Sequence, residues 1–184
     1  MAQIMRPIST ISDNGNISGT GSAHNQVDGT SPDTGDWWYG TNNTTNTMEV
    51  LLTDLSASVP ASGTCTVTIQ EAQSDDDDAP TAPTTGGAAP SFDLLVIENV
   101  TTRASVSTVT SNDGSFAAHN TLTFEASTVT DWADLRLRFV SNGSGGAPGG
   151  RRGAATSYME ISTPDASTTS IPVLFNHYAK RRRN

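Results

Sequence analysis

The sequence predicts an all-β chain, an antiparallel β-sandwich or jelly roll with an extended N-terminal arm and a C-terminal tail. Three observations point there. Segments rich in Val, Ile, Thr and Phe recur at short intervals with period-two alternation. Turn residues, not helical periodicity, separate them. Thr, Ser, Gly and Asn fill 76 of the 184 positions, and Leu, Ile, Val and Phe only 33. With a net charge of −9, that apolar share borders on the composition of disordered chains. The apolar residues are concentrated, however: 24 of the 33 fall within 48–163. A core is therefore expected in a sandwich domain at 48–164, flanked by an arm and loop at 1–47 and a tail at 165–184. No apolar run approaches the roughly 20 residues of a membrane helix, and strong helix formers are scarce.

Taken in order, Ile4, Ile8, Ile11 and Ile17 stand isolated in a Ser/Asn/Gly background, which reads as an arm. Trp37, Trp38 and Tyr39 close that region. Glu49 to Leu52 is a short apolar run, and 63–70 alternates apolar residues with threonine, as a half-buried strand does. Asp75 to Pro90 reads as a long loop. Phe92 to Val100 has the pattern of a more fully buried strand, and 103–110 is β-prone before an Asn112-Asp113-Gly114 turn. Another strand is expected from Phe116 through Glu125. Asp134 to Val140 alternates, with Leu135, Leu137 and Phe139 opposite Arg136 and Arg138. After a Gly/Pro loop at 143–150, Ala155 to Thr163 forms the last strand. If the last two strands pair, both arginines face Glu160, a register device contributing about 0.2–1 kcal/mol.

The residue types that carry chemistry form no catalytic constellation in the sequence. Asp75 to Asp78 are consecutive and point in different directions, unlike the spaced oxygen ligands of a calcium loop. Glu49, Glu71, Glu98, Glu125 and Glu160 lie in or beside strand segments, but nothing pairs two of them across a cleft. His24, His119 and His177 lack metal-ligand spacing, and no G-x-S-x-G elbow is present. The glycine-rich stretch 143–153 precedes a strand rather than a phosphate-cradling helix. Cys65 is the single cysteine; it shares a strand face with Val67 and Ile69 and reads as a buried, inert thiol. No metal and no cofactor is expected. Asn16, Asn42, Asn43, Asn99 and Asn142 open sequons that chance explains in a chain of this composition. The opening residues show no charged leader before an apolar stretch, so no signal peptide is expected.

Charge is segregated. Lys180, Arg181, Arg182 and Arg183 are four of the ten basic residues, leaving residues 1–179 with 6 basic against 19 acidic groups. An acidic body repels nucleic acid, so no nucleic-acid partner is expected. A basic tip suits docking onto an acidic neighbour, or merely solvation. Trp37, Trp38 and Tyr39 suit packing or a protein interface better than a sugar-stacking platform.

The segment Trp132 to Val140, the loop carrying Arg151 and Arg152, and the phrases Thr156 to Ile161 and Thr163-Pro164 together resemble a family of tailed-phage structural proteins. Met5 to Gly15 is similar to the opening of the same family. The resemblance implies a non-enzymatic virion protein of β-sandwich type, with no catalytic residues to carry over. Two polar flanks that gain order on assembly agree with it. The expectation is a capsid decoration or cement protein, localised to the virion, contacting capsid proteins through the arm, Trp37, Trp38, Tyr39 and Lys180 to Arg183. It is expected to be a homo-oligomer, with a trimer as a guess, and to have no membrane partner. The alternatives are a tail or neck component, or a glycan-binding module for host attachment.

Overall fold

The computed structural model describes residues 2–18, 20–30, 35–41, 44–55, 59–74, 89–110, 115–144 and 153–166. They form two antiparallel sheets packed face to face as a sandwich, as the alternation predicts. Helix among these residues is limited to short 3-10 turns at Ala23–Gln26, Ala126–Thr128 and Trp132–Asp134.

Eleven strands follow in chain order: β1 (Gln3–Met5), β2 (Pro7–Asp13), β3 (Asn16–Ile17), β4 (Trp38–Tyr39), β5 (Thr45–Leu52), β6 (Thr64–Ser74), β7 (Ser91–Glu98), β8 (Thr101–Val109), β9 (Ala117–Glu125), β10 (Leu135–Asn142) and β11 (Gly153–Thr163). One sheet runs β3-β4-β11-β6-β9, with β1 also on β11; the other runs β2-β5-β10-β7-β8. Strand alternation sends Met48, Val50, Leu52, Phe92, Leu94, Leu135, Leu137 and Phe139 inward from the five-stranded sheet. They meet Trp38, Val67, Ile69, Leu122, Met159 and Ile161 of the other in one core. Each such residue contributes about 1.5–3 kcal/mol by leaving water.

Two sequence expectations change here. Residues 1–47 do not run as an arm: they supply β1 to β4 and join both sheets. The chain crosses from one sheet to the other at Arg6, whose N–H donates to Thr53 Oγ1 at 3.0 Å while Thr53 N–H donates to the Arg6 carbonyl at 2.7 Å. Met5 and Pro7 are buried on either side of the crossing. The last two strands also do not pair. β10 lies between β5 and β7, and β11 lies in the opposite sheet. Leu135, Leu137 and Phe139 thus face Met159 and Ile161 across the core instead of beside them. Arg136 and Arg138 bind Glu49 of β5 at 3.2 and 2.5 Å, and Glu160 takes Arg6 and the Tyr158 hydroxyl.

The sandwich has two unlike ends. At one, the buried Glu98 carboxylate clamps the 126–134 segment. At the other, β6, β8 and β10 end and β5, β7, β9 and β11 begin. The two-residue connection from Glu98 to Thr101 turns through Asn99, at φ +54°, a conformation Asn tolerates better than most residues.

Candidate functional site

Period-two alternation continues along β6 beyond its apolar stretch. Cys65, Val67 and Ile69 face the core, so Glu71 and Gln73 share their face, and both are buried. Across β6, Glu71 stands opposite Thr156 of β11 and Ala117 of β9, while His119 stands opposite Ile69. Thr156 in turn stands opposite Trp38 of β4. One row therefore crosses four strands as Trp38, Thr156, Glu71 and Ala117, with His119 on the diagonal from Glu71. Cross-strand and diagonal neighbours on one face lie within reach of long side chains. β11 bulges at Ser157, and this keeps Thr156 and Met159 on the same inner face despite odd spacing.

Beneath this row lies a floor of rings. Phe92 and Phe139 stack at 4.9 Å, His119 meets Phe92 edge-on at 5.4 Å, and Trp38 meets Phe139 edge-on at 5.8 Å. The Trp38 indole N–H donates to Asp13 Oδ1 at 2.7 Å. Its ring closes against Gly15, where a Cβ would come within 2.2 Å.

Close approaches tie this end together. Between the sheets, Ser141 Oγ accepts from Ala154 N–H, and within one sheet Ser74 Oγ donates to the Gly40 carbonyl, each at 2.8 Å. A Cβ on Gly40 would sit 2.2 Å from Ser141 Oγ, and one on Gly153 would sit 2.2 Å from the Gly40 carbonyl oxygen. Only glycine fits at both.

Burial pushes the His119 imidazole below its ordinary value of 6.5, because the protonated ring loses solvation. It is thus neutral at pH 7. The Thr110 hydroxyl, on the inner side just beyond β8, is buried with no hydrogen-bond partner, a condition native interiors rarely leave unexplained. An acid, an amide, a neutral imidazole and hydroxyls thus line one end of an interior that is otherwise apolar. This arrangement can donate and accept protons beside an aromatic surface.

The sequence candidates are distributed differently. Trp38 is wholly buried in this core, whereas Trp37 and Tyr39 turn to the outside of the sheet with Phe116 and Ala155. Trp37 and Phe116 lie 6.0 Å apart. The three aromatics therefore form no common stacking surface. Lys180, Arg181, Arg182 and Arg183 lie outside the described residues, as do Asp75 to Asp78 and the Asn112-Asp113-Gly114 turn. Cys65 is fully buried with its thiol pushed up to about 12, first by burial and then by Glu125. Among the described residues no group of three His, Cys, Asp or Glu side chains is placed to hold a metal ion. Nothing in the linear sequence links Glu71 to His119. Carrying the alternation two steps past Ile69 is the signal that places an acid on the core face.

No protein-family model and no curated protein matches the chain. Solved structures do. A cyclase from Fischerella sp. TAU, in complex with 4-(1H-indol-3-yl)butan-2-one, is 15% identical. The match covers 86% of this chain and 78% of that one, at a TM-score of 0.50. A Stig cyclase from Fischerella sp. TAU, in complex with (3Z)-3-(1-methyl-2-pyrrolidinylidene)-3H-indole, is 13% identical. That match covers 89% and 84%, also at 0.50. An apo cyclase from Fischerella sp. is 16% identical over 86% and 76%, at 0.49.

At these identities the likeness is one of fold. These solved structures that share the fold are cyclases, and this finding overturns the expectation of a non-enzymatic virion structural protein.

Proposed function

We propose that the protein is an enzyme that binds a small aromatic or heteroaromatic molecule at the polar end of the sandwich interior and moves a proton on it. Glu71 acts as proton donor and His119 as acceptor. The observation that carries this reading is the placement of both groups on the inner face of adjacent strands, with the His119 ring edge-on to Phe92. A sandwich gains stability from apolar residues at such positions, so polar ones there point to use rather than packing. The imidazole, neutral at pH 7, removes a proton from an activated C–H. The carboxyl group protonates the atom that gains electron density, so the substrate stays neutral overall and the charges are left on the imidazolium and the carboxylate.

The test uses 4-(1H-indol-3-yl)butan-2-one as probe, because it joins an aromatic ring to C–H groups beside a carbonyl. The protein in D2O buffer is expected to exchange those hydrogens for deuterium faster than buffer alone, as read by mass spectrometry. Glu71→Gln and His119→Asn are each expected to lower the exchange rate by about 10²-fold or more, with melting temperatures recorded alongside. Exchange no faster than buffer, or unchanged in both variants, sinks the acid–base reading.

A further inference from the structure

The outer face of the five-stranded sheet carries a second, separate feature. A groove of about 270 Å³ opens over β10, β7 and β8. The strand registers build it from two rows: Val140, Asp93 and Ser107 in one, Arg138, Leu95 and Ser105 in the next. Val106 also borders it, although it stands opposite Leu94 and packs against the core. The floor is thus aliphatic, with Leu95 and Val140 on adjacent strands and on the diagonal from one another. Two hydroxyls run along the β8 side.

The two charges in the groove differ in state. Arg138 gives its Nε and one terminal nitrogen to Glu49 Oε2, at 2.8 and 2.5 Å. Its positive charge is therefore matched by a carboxylate on the next strand. Asp93 is held by the neutral Asn142 amide at 3.0 Å, and none of the ion pairs among the described residues includes it. A carboxylate without a cation thus sits beside an aliphatic floor, on a chain of net charge −9 that draws cations toward it.

We infer that this groove binds a primary alkylamine. The ammonium pairs with Asp93 and donates its remaining hydrogens to the Ser105 and Ser107 hydroxyls. The hydrocarbon chain lies over Leu95 and Val140. Charge complementarity selects the amine over an acid, and the aliphatic floor selects it over a bare inorganic cation. The site lies on the opposite side of the sheet from Glu71 and His119, so the two readings stand or fall separately.

The experiment is an amide NMR titration of the full chain with n-hexylamine, n-hexanol and hexanoate. Hexylamine is expected to shift resonances of Asp93, Leu95, Ser107 and Val140 at millimolar or lower concentration. Hexanol and hexanoate are expected to bind about tenfold more weakly or not at all. Asp93→Asn is expected to reduce hexylamine to the level of hexanol, with an unchanged spectrum elsewhere. Raising the salt concentration on the unaltered protein should weaken hexylamine and leave hexanol unaffected, which serves as the check if the variant folds poorly. Equal binding of amine and alcohol, shifts at another surface, salt-insensitive amine binding, or no binding at all overturns the proposal.

Discussion

Glu98 shows how one buried charge is made tolerable. Its carboxylate accepts from the Thr130 N–H and hydroxyl, the Asp131 N–H at 2.7 Å and Arg103 Nε at 2.7 Å. Burial alone pushes its pKa up. The bonds from Thr130, Arg103 and Asp131 together outweigh that and hold it below the ordinary 4.5. Because the folded value is the lower one, the carboxylate's contribution is complete above about pH 4.5 and is lost as the pH falls through the folded value. Glu98→Gln is expected to cost about 1–3 kcal/mol in urea unfolding at pH 7 and to flatten the stability profile below pH 4.5. His119 works in the same sense, in a higher pH window. Its folded value also lies below the ordinary one, so again the unfolded state binds the extra proton. Stability therefore rises with pH through the region at and below 6.5, and His119→Phe is expected to remove that slope. The Cys65 thiol, buried and raised to about 12, is expected to react with a disulfide reagent only as fast as β6 opens. Stoichiometric labelling within the mixing time contradicts this.

At the scale of elements, the strands with clean alternation were readable and those with bulges were not. Leu135 to Asn142 alternates buried and half-buried residues without a break, as the sequence suggests. In β2 the pairing with β5 shifts between Pro7 and Ser9 and again between Thr10 and Ser12. Ile8 and Ile11 consequently lie three apart rather than two, and the sequence gives no strand period. The pairing of β10 with β5 and β7 was illegible for another reason. Adjacent strands in sequence pair by default, but β11 lies in the opposite sheet from β10. The site was half legible: Glu71 continues the face of Val67 and Ile69, yet His119 joins it only through a β6–β9 register that composition does not reveal. The Gly40–Gly153 approach that fixes this end is testable. Gly153→Ala is expected to destabilise the fold by about 1–3 kcal/mol, since the new Cβ meets a backbone oxygen. Gly35→Ala, with open space around it, is expected to be near neutral.

The whole molecule is a sandwich whose two ends do different work. The Glu98 end is tied by charge-assisted bonds, while the Glu71 end keeps an acid, a neutral imidazole and the orphan Thr110 hydroxyl above a ring floor. The low apolar content of the chain therefore does not mean that its N-terminal quarter waits for a partner. Met5, Val27 and Trp38 lie in the common core. The most direct test is to map where small aromatic molecules bind, by amide and side-chain NMR shifts with indole, 4-(1H-indol-3-yl)butan-2-one and phenol. Shifts confined to Trp38, Glu71, Phe92, His119 and Thr156, and lost in Glu71→Gln or Thr156→Leu, are the expected result. Shifts confined to the outer faces of the sheets, with those five residues unmoved, contradict a functional site between them.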